Sequence, residues 1–227
     1  MKVAIIPARS GSKRIKNKNI KLFYGKPLLS YSIQAAKKSK IFDKIIISTE
    51  SKKIANIALK YGASMWIKRP KKLADDFTST FEVLKHAIDY LEMNKFKIKY
   101  FCCINPNPFL KKDNLIKSHK IFLRKKPSCM LSVTTYNYPI FRSLKLNKKN
   151  NLKFIFPKFS LKRSQDLFAT YHDAGQFYWW EKKKFDKIKN SRYRYNIDRI
   201  PYILNREDVV DLDTMEDWNF AKKIFNN

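Results

Sequence analysis

The sequence predicts an α/β fold in which a mostly parallel sheet lies between two layers of helices, within a single domain that spans residues 1–227. Two observations predict this fold. Short, continuous apolar runs are typical of strands that are buried on both faces of a parallel sheet. These runs alternate with segments whose apolar residues recur at helical spacing, and such alternation indicates parallel strands joined by right-handed helical crossovers.

The predicted elements of the first half alternate regularly along the chain. The strand runs are KVAIIP, KIIISTE, MWIKRP and KYFCCINP. The helical segments are KPLLSYSIQAAKKSK, SKKIANIALKYGA, Thr78 to Met93 and Asp113 to Arg124. Pro27 suits the first turn of the first helix, Ser51 is a candidate cap of the second helix, and Gly62 is a candidate stop.

The pattern changes after residue 129. The segments CMLSVTTYNYP, LKFIFP, AGQFYWW and RYRYNI are aromatic and rich in β-forming residues, with little helical spacing. We interpret residues 129–200 as a β-rich excursion that contributes to a lid and to a dimer. The α/β pattern returns at VVDLDTMEDWNFAKKIF, where a predicted strand ends in acidic residues and a closing helix follows, with Thr214 or Asp213 as its cap.

The chain carries a formal charge of +30, from 49 Lys and Arg residues against 19 Asp and Glu residues. An excess of this size usually indicates nucleic acid or an anionic membrane as a partner. Here the excess is spread along the whole chain and comes mostly from Lys, in a composition typical of a genome that is poor in G and C. An anionic small-molecule substrate fits this charge equally well, so we expect neither nucleic acid nor a membrane as partner. A basic nucleic-acid-binding protein without catalysis is the alternative of a different class.

Cysteine usage and the absence of apolar spans bear on the compartment. The three cysteines form no CxxC pair, and their odd number does not resemble a disulfide framework. A strand pattern follows Met1 directly, without a signal peptide, and the sequence has no apolar run long enough to cross a bilayer. We therefore expect a cytoplasmic protein.

A cationic loop, Arg9 to Lys21, follows the first predicted strand in the stretch IIPARSGSKRIKNKNIK. In a doubly wound sheet this position lies at the carboxyl edge of the strands, where ligands bind. Backbone N–H groups around Ser10, Gly11 and Ser12 can form an anion-binding nest. Arg9, Lys13 and Lys18 can neutralise phosphate oxygens. The loop matches neither a Walker motif nor GxGxxG, and on spacing alone a solvated basic loop is an equal alternative.

Two acidic residues, Asp211 and Asp213, lie two positions apart on the predicted last strand, so their carboxylates share a face. Two like charges this close destabilise each other unless a cation lies between them. Mg²⁺ is the natural partner of such oxygen ligands and would bridge to a phosphate. The alternative is that Asp213 caps the last helix while Asp211 pairs with a lysine.

The stretch RSQDLFATYHDAGQFYWW contains side chains that suit recognition of a polar ligand, namely Arg163, Gln165 and Gln176. His172 lies beside an aspartate, but no Ser or Cys motif completes a catalytic triad with them, so a packed or hydrogen-bonded histidine is the simpler interpretation.

The stretch KRPKKLADDFTST offers two more candidates. Arg69 precedes Pro70 and is therefore held in an extended conformation at a strand end, from which it can point into the crevice. Thr78 and Thr80 either cap the third helix or contact the ligand. A plain turn followed by a helix start is an equal alternative.

Several motifs occur in the order of one known family along nearly the whole chain: IIPARSGSKRIKNKNIK, GKPLLSYSIQAA, FDKIIISTE, IANIALKYGA, RPKKLADD, RSQDL and DLDTMEDW. Together they resemble the sialic-acid-type (acylneuraminate) cytidylyltransferases, which activate nine-carbon acidic sugars as CMP conjugates. RSQDL followed by YHDAGQFYW most resembles the pseudaminic acid branch. The long spacer after SKR differs from the more compact loop of the Kdo-activating enzymes.

The resemblance implies a Rossmann-like, glycosyltransferase-A-type nucleotidyltransferase fold, a homodimer and dependence on Mg²⁺. It implies that CMP passes from CTP to the anomeric hydroxyl of the sugar, with release of pyrophosphate. Arg9, Lys18, Asp211 and Asp213 would be catalytic, with the two aspartates holding the metal. The expected nucleotide-binding residues are Ala8, Arg9, Ser10, Gly11, Ser12, Lys13, Lys18, Asn19, Arg69 and Thr80. The expected sugar-binding residues are Asn105, Asn107, Arg163, Gln165, His172 and Gln176.

The sequence departs from the family pattern after the fourth strand. Pseudaminate enzymes carry a stretch such as ATAPF there, and this chain has NPNPFL instead. Lys16 replaces a proline in the cationic loop. Enzymes for N-acetylneuraminic or legionaminic acid, or a family member that keeps the fold without activity, are the alternatives within the family.

Overall fold

The computed structural model describes residues 1–188 and 197–225 of the chain. The strands are β1 (Lys2–Pro7), β2 (Leu22–Phe23), β3 (Lys26–Pro27), β4 (Lys44–Thr49), β5 (Met65–Lys68), β6 (Tyr100–Ile104), β7 (Cys129–Thr135), β8 (Leu144–Leu146), β9 (Leu152–Phe154), β10 (Tyr171–Glu181) and β11 (Arg199–Ile203). The helices are α1 (Leu28–Ser39), α2 (Lys52–Lys60), α3 (Thr80–Met93), α4 (Lys112–Lys125), α5 (Lys182–Phe185) and α6 (Met215–Phe225). Short 3-10 turns occur at Lys18–Ile20, Lys71–Leu73, Ile140–Arg142, Pro157–Phe159, Ser164–Asp166 and Arg206–Asp208.

A seven-stranded sheet forms the centre of the molecule, in the order β11-β7-β10-β6-β1-β4-β5. β1 is parallel to both β4 and β6, β5 is parallel to β4, and β11 is parallel to β7. β10 is antiparallel to both of its neighbours, β6 and β7. The prediction of a mostly parallel sheet is confirmed, with β10 as the exception.

The order of the strands places a crevice between β1 and β6. After β1 the chain moves to β4 and β5 on one side, and it then returns to β6 on the other side. In α/β sheets, ligands bind outside the carboxyl ends of the strands at such a reversal. The loops that follow β1 and β6 therefore flank the natural binding crevice of this fold.

Polar side chains define where α2 and α3 begin. The Ser51 hydroxyl accepts the N–H of Ile54 at 3.4 Å, which confirms the predicted cap of α2. Ser79 caps α3 in a capping box with Glu82. The capping role considered for Thr80 is therefore wrong, because this residue is the first residue of the helix itself.

The acidic segment, residues 209–214, corrects one predicted element. VVDLDT forms no strand in the part of the chain that the structure describes, although its side chains alternate as predicted. Val210 and Leu212 are buried, and Asp211 and Asp213 lie on the other side. The segment packs through its apolar side chains instead of pairing with a neighbouring strand.

Thr214 is the residue that caps α6. Its hydroxyl accepts the N–H of Asp217 at 3.2 Å, and the Asp217 carboxylate accepts the N–H of Thr214 at 2.7 Å. Asp213 is therefore not the cap of α6, a role that the sequence had left open for it.

One apolar cluster joins the cationic loop to the acidic segment. Its buried members are Ile15, Phe23, Leu28, Val210, Leu212, Trp218 and Ala221. Ile15 belongs to the cationic loop, and Val210 and Leu212 flank Asp211. Burial of each large apolar side chain is worth about 1.5–3 kcal/mol, so this cluster strongly fixes the two charged segments relative to each other.

The expected excursion, residues 129–200, has different bounds in the structure. Strands β7 and β10 lie within that range and belong to the central sheet. Residues 136–170, between β7 and β10, leave the sheet and carry the β8–β9 hairpin. β10 joins the sheet because it buries apolar side chains on both faces, among them Trp179 on one face and Trp180 on the other. The predicted β segment RYRYNI falls almost entirely in residues 189–196, outside the described residues.

The helices of the described chain are all too short or too polar to span a membrane.

Candidate active site

A cleft of about 460 Å³ opens at the carboxyl edge of the sheet, between the loops that follow β1 and β6. The cationic loop, the loop after β5, the β6 loop and the acidic segment all contribute to its walls. The expected site residues that line the cleft are Arg9, Ser12, Lys13, Lys18, Asn19, Arg69, Thr80, Asn105, Asn107, Asp211 and Asp213. Residues from distant parts of the chain thus meet at one place.

Arg9 and Lys13 face an acidic residue on the opposite wall of the cleft. Arg9 Nη1 lies 2.7 Å from Asp76 Oδ1 and donates to the carbonyl of Asp75 at 2.5 Å. Lys13 Nζ lies 2.6 Å from Asp76 Oδ2. Hydrogen bonds from Lys13 and Arg9 hold the pKa of Asp76 below its usual value. Because these groups are exposed to solvent, a ligand with more negative charge can replace the carboxylate as their partner.

The second set of cations lies against the acidic segment. Arg14 Nη2 is 2.7 Å from Asp213 Oδ2, and Lys18 Nζ is 3.6 Å from Asp213 Oδ1. Among the described residues, Asp211 makes no ion pair. Partial burial and the negative charge of Asp213 raise the pKa of Asp211.

The two aspartates fit a magnesium ion. Their carboxylates are hard oxygen ligands on the same side of the acidic segment, and the raised pKa of Asp211 reflects a negative charge that a cation would relieve. No cluster of three or more His, Cys, Asp or Glu side chains suited to a metal occurs among the described residues. Water and phosphate oxygens would have to complete the shell, which is the usual arrangement for Mg²⁺.

Arg69 is held rigidly at the end of β5 and is only 4% exposed. Its Nη2 donates to the carbonyl of Ser48 at 2.7 Å, and its Nε donates to the hydroxyl of the same residue at 3.3 Å. Burial lowers the pKa of Arg69. The guanidinium therefore presents a fixed positive charge at the floor of the cleft.

The expected anion-binding nest is not formed. The nucleotide-binding role expected for Ala8, Ser10 and Gly11 is therefore corrected. The Ser10 N–H and hydroxyl both donate to Glu50 Oε1, at 2.7 and 2.5 Å, and the Ser12 N–H donates to the Ser10 carbonyl at 2.9 Å. Ala8 is 1% exposed, and its N–H donates to the carbonyl of Ser48 at 3.0 Å. Ala8, Ser10 and Gly11 do not line the cleft. The Glu50 carboxylate thus occupies the two Ser10 donors that a phosphate would need.

The side-chain amides of the loop after β6 form hydrogen bonds to backbone groups of the chain. Asn105 Nδ2 donates to the carbonyl of Gly175 at 2.8 Å. Asn107 Nδ2 donates to the carbonyl of Val210 at 3.0 Å, and its Oδ1 accepts the N–H of Phe109 at 2.9 Å. Both asparagines lie at the cleft wall, but their side-chain donors are committed to backbone groups. The expected sugar contact of the Asn107 amide is therefore corrected to a structural role.

Gln176 does not face the cleft. It is fully buried, and its Nε2 donates to the carbonyl of Asp208 at 2.5 Å. The expectation that it binds sugar is corrected, because β10 turns this side chain into the core.

Arg163, Gln165 and His172 lie away from the cleft of their own chain. Arg163 forms two hydrogen bonds to Asp166, at 2.8 and 3.0 Å, on the exposed part of the 136–170 excursion, and Gln165 is exposed beside it. His172 lines a larger cavity of about 1780 Å³ between this excursion and the body of the domain. These three residues are not brought together with the cationic loop.

Sequence reasoning did not single out Arg14, Glu50 or Asp76 for the site. The adjacent acidic pair in RPKKLADD, on a loop expected at the same sheet edge as the cationic loop, could have indicated Asp76 by charge complementarity. The partners of Arg14 and Glu50 depend on how distant segments pack, and no local pattern indicates them.

Comparison with known proteins agrees with this geometry. The family model described as cytidylyltransferase matches residues 3–219. The chain is 38% identical to the pseudaminic acid cytidylyltransferase of Campylobacter jejuni over 98% of this chain and 95% of that protein. It is 34% identical to the N-acylneuraminate cytidylyltransferase of Escherichia coli over 96% of this chain and 51% of that protein.

A solved structure supports the fold assignment. CMP:2-keto-3-deoxy-manno-octonic acid synthetase, in complex with CTP, superimposes with a TM-score of 0.71 at 11% identity, over 99% of this chain and 98% of that one. The expected nucleotidyltransferase fold is thereby confirmed. Since the family match includes both the cationic loop and the acidic segment, the resemblance inferred from the motifs is confirmed as well, and the chain belongs to the cytidylyltransferase family of nucleotidyltransferases.

Proposed function

We propose that this enzyme transfers CMP from CTP to the anomeric hydroxyl of a nine-carbon acidic sugar, with pseudaminic acid as the preferred substrate, and releases pyrophosphate. The observation that carries the proposal is the meeting of the cationic loop and the acidic segment at one cleft, where Lys18 Nζ lies 3.6 Å from Asp213 Oδ1. The preference for pseudaminic acid is supported by similarity to the Campylobacter enzyme along nearly the whole chain.

Four cations would bind the triphosphate. Arg9 and Lys13 stand on one side of the cleft and Arg14 and Lys18 on the other, each beside a single carboxylate. A triphosphate carries more negative charge than either carboxylate and offers several oxygens to the guanidinium forks and ammonium groups. In phosphoryl and nucleotidyl transfer, such groups act by positioning the phosphates and by stabilising the charge on the leaving pyrophosphate.

Asp211 and Asp213 would hold Mg²⁺. When bound, the ion supplies charge neutralisation at the phosphate and lowers the pKa of a hydroxyl that it binds. Asp213 has cationic neighbours on one side, whereas the carboxylate of Asp211 is the better available ligand because it has no ion pair among the described residues.

A homodimer is the assembly that we propose, with the 136–170 excursion as its arm. This excursion exposes several large apolar side chains, which a partner subunit would cover. The most exposed are Tyr138, Leu146, Leu152, Leu161 and Phe168. In such a dimer, Arg163, Gln165 and His172 would serve the sugar site of the partner, which gives a role to residues that do not reach their own cleft.

One assay tests the reaction. Purified enzyme receives CTP and Mg²⁺ with pseudaminic, legionaminic or N-acetylneuraminic acid, and pyrophosphate release is followed while the product is identified by mass spectrometry. We expect pyrophosphate only when CTP and an acid are both present, with the highest kcat/KM for pseudaminic acid. A higher value for another acid would change the substrate assignment. If no pyrophosphate were released with any of the three acids, and the protein bound DNA or RNA in a salt-dependent way, the basic nucleic-acid-binding alternative would be favoured. We place the reaction in the cytoplasm, where CTP is made.

A further inference from the structure

The carboxylate of Glu50 binds the residue that follows Arg9. Glu50 lies one position beyond β4, and its Oε1 accepts the N–H of Ser10 at 2.7 Å and the Ser10 hydroxyl at 2.5 Å. Ionised acceptors make hydrogen bonds roughly twice as strong as those between neutral groups. The start of the cationic loop is therefore tied to the neighbouring strand by a charged group that does not itself line the cleft.

The peptide group between Arg9 and Ser10 is held at both ends. Its N–H, on Ser10, binds Glu50 at 2.7 Å, and its carbonyl, on Arg9, accepts Asn19 Nδ2 at 2.8 Å. Because a peptide group is planar, hydrogen bonds at its two ends fix its orientation. The direction in which the Arg9 side chain leaves the backbone follows from that orientation.

Glu50 also lies in the field of the buried Arg69. Partial burial pushes the pKa of Glu50 upwards, but the hydrogen bonds from Ser10 and the charge of Arg69 outweigh this effect, and the pKa falls below its usual value. Burial lowers the pKa of Arg69, and the negative charge of Glu50 opposes that change. Glu50 Oε2 is buried and has no hydrogen-bond partner among the described residues, so Oε1 alone makes the hydrogen bonds to Ser10.

We propose that Glu50 is a positioning residue for the nucleotide: it fixes the Arg9–Ser10 peptide, so that Arg9 takes up CTP in a preset arrangement. This role rests on the proposed function of the cleft. It differs from direct binding, because Glu50 contacts Ser10 of the cationic loop and does not itself line the cleft. It also assigns Ser10 to the support of the loop instead of to a phosphate.

The test compares Glu50→Gln with a matched control. Asp43→Asn serves as the control, because Asp43 Oδ2 accepts the N–H of Lys2 at 2.6 Å and so ties the opposite end of β1 in the same manner. We expect Glu50→Gln to weaken CTP binding in calorimetry and to raise KM for CTP, each about tenfold, with kcat changed less than about threefold. We expect Asp43→Asn to leave CTP binding and KM unchanged, even where both variants lower the melting temperature equally.

A second variant separates the contributions and keeps the test valid if Glu50→Gln folds poorly. Ser10→Ala removes the hydroxyl bond and keeps the N–H bond, so we expect a loss in CTP affinity of about threefold. In a background of Glu50→Ala, the further change Ser10→Ala should cause no additional loss of CTP affinity, because the Ser10 hydroxyl has already lost its partner.

Two results would overturn the proposal: unchanged CTP affinity in Glu50→Gln, or a Ser10→Ala loss that is the same with and without Glu50. If the wild-type enzyme bound CTP but released no pyrophosphate with any acid, the proposed function would fail. The calorimetric comparison would still decide the role of Glu50.

Discussion

The side-chain amide of Asn107 donates a hydrogen bond to the carbonyl of Val210 at 3.0 Å. Asn107 is itself fixed, because its Oδ1 accepts the N–H of Phe109 at 2.9 Å and its N–H donates to the Ser32 hydroxyl at 2.9 Å. Val210 immediately precedes Asp211. The β6 loop, which follows a central strand of the sheet, therefore holds the acidic segment in place at the cleft.

We expect Asn107→Ala to lower the free energy of unfolding by about 1–3 kcal/mol, because it leaves the Val210 carbonyl without its partner in a buried place. We also expect more Mg²⁺ to be needed for half-maximal activity and for half of the thermal shift that Mg²⁺ produces. Denaturant unfolding and Mg²⁺ titrations measure these effects. Asn94→Ala is the control, since Asn94 Nδ2 bonds the Tyr90 carbonyl at 2.8 Å on the exposed end of α3. Equal Mg²⁺ requirements in the two variants would contradict the link to the acidic segment.

Asp211→Asn should reduce kcat about 10²–10³-fold, because it removes the negative charge of the ligand that we propose for Mg²⁺ while keeping the size of the side chain. Folding should be unharmed or slightly favoured at neutral pH, since the raised pKa of Asp211 means that its ionised form is disfavoured in the folded state. Turnover and thermal unfolding in EDTA give both values. Glu216→Gln, at an exposed carboxylate in the first turn of α6, is the control. Normal turnover in Asp211→Asn, with EDTA still inhibitory, would place the metal elsewhere.

The binding of Mg²⁺ should weaken as pH falls through the raised pKa of Asp211, because the protonated carboxyl is a poor ligand. The stability of the metal-free protein should depend on pH in the opposite direction, so that its free energy of unfolding rises as pH falls through this range. Protonated Asp211 favours the folded state below that pKa, and this contribution is lost as pH rises through it. Mg²⁺ titrations by thermal shift at a series of pH values test the first statement, and unfolding in EDTA tests the second. In Asp211→Asn, neither Mg²⁺ binding nor the stability of the metal-free protein should show this change with pH. If either change persisted, a group other than Asp211 would be responsible for it.

Lys18→Ala should raise KM for CTP about tenfold, because Lys18 is the less exposed of the ammonium groups that pair at the cleft, and we propose that it binds the phosphates. Steady-state kinetics with CTP varied at saturating sugar measure this change. Lys16→Ala is the matched control, since Lys16 belongs to the same loop, is exposed and does not line the cleft. If KM for CTP rose equally in both variants, general loop charge would explain the effect instead of a specific contact.

The local spacing of apolar and capping residues predicted the alternating strands and helices of the fold. The continuous apolar runs became β1, β4, β5 and β6, and the Ser51 and Thr214 caps lie at helix starts considered from the sequence. These features depend on residues close in sequence, whose spacing decides which side chains share a face. The place of β10 in the central sheet was missed, because pairing direction depends on strands far away in the chain.

The spacing of apolar residues thus determined the α/β class, and motif order determined the family and indicated the sheet edge at which the cleft lies. Tertiary structure alone decided which polar groups remain available there. Ser10 is 40 residues from Glu50, and Asn107 is 103 residues from Val210, yet both pairs are in hydrogen-bond contact. A loop rich in donors looks the same in sequence whether its N–H groups bind a phosphate or a carboxylate of the chain. The difference is made by the packing of distant strands, which brings one particular acceptor within reach of those donors.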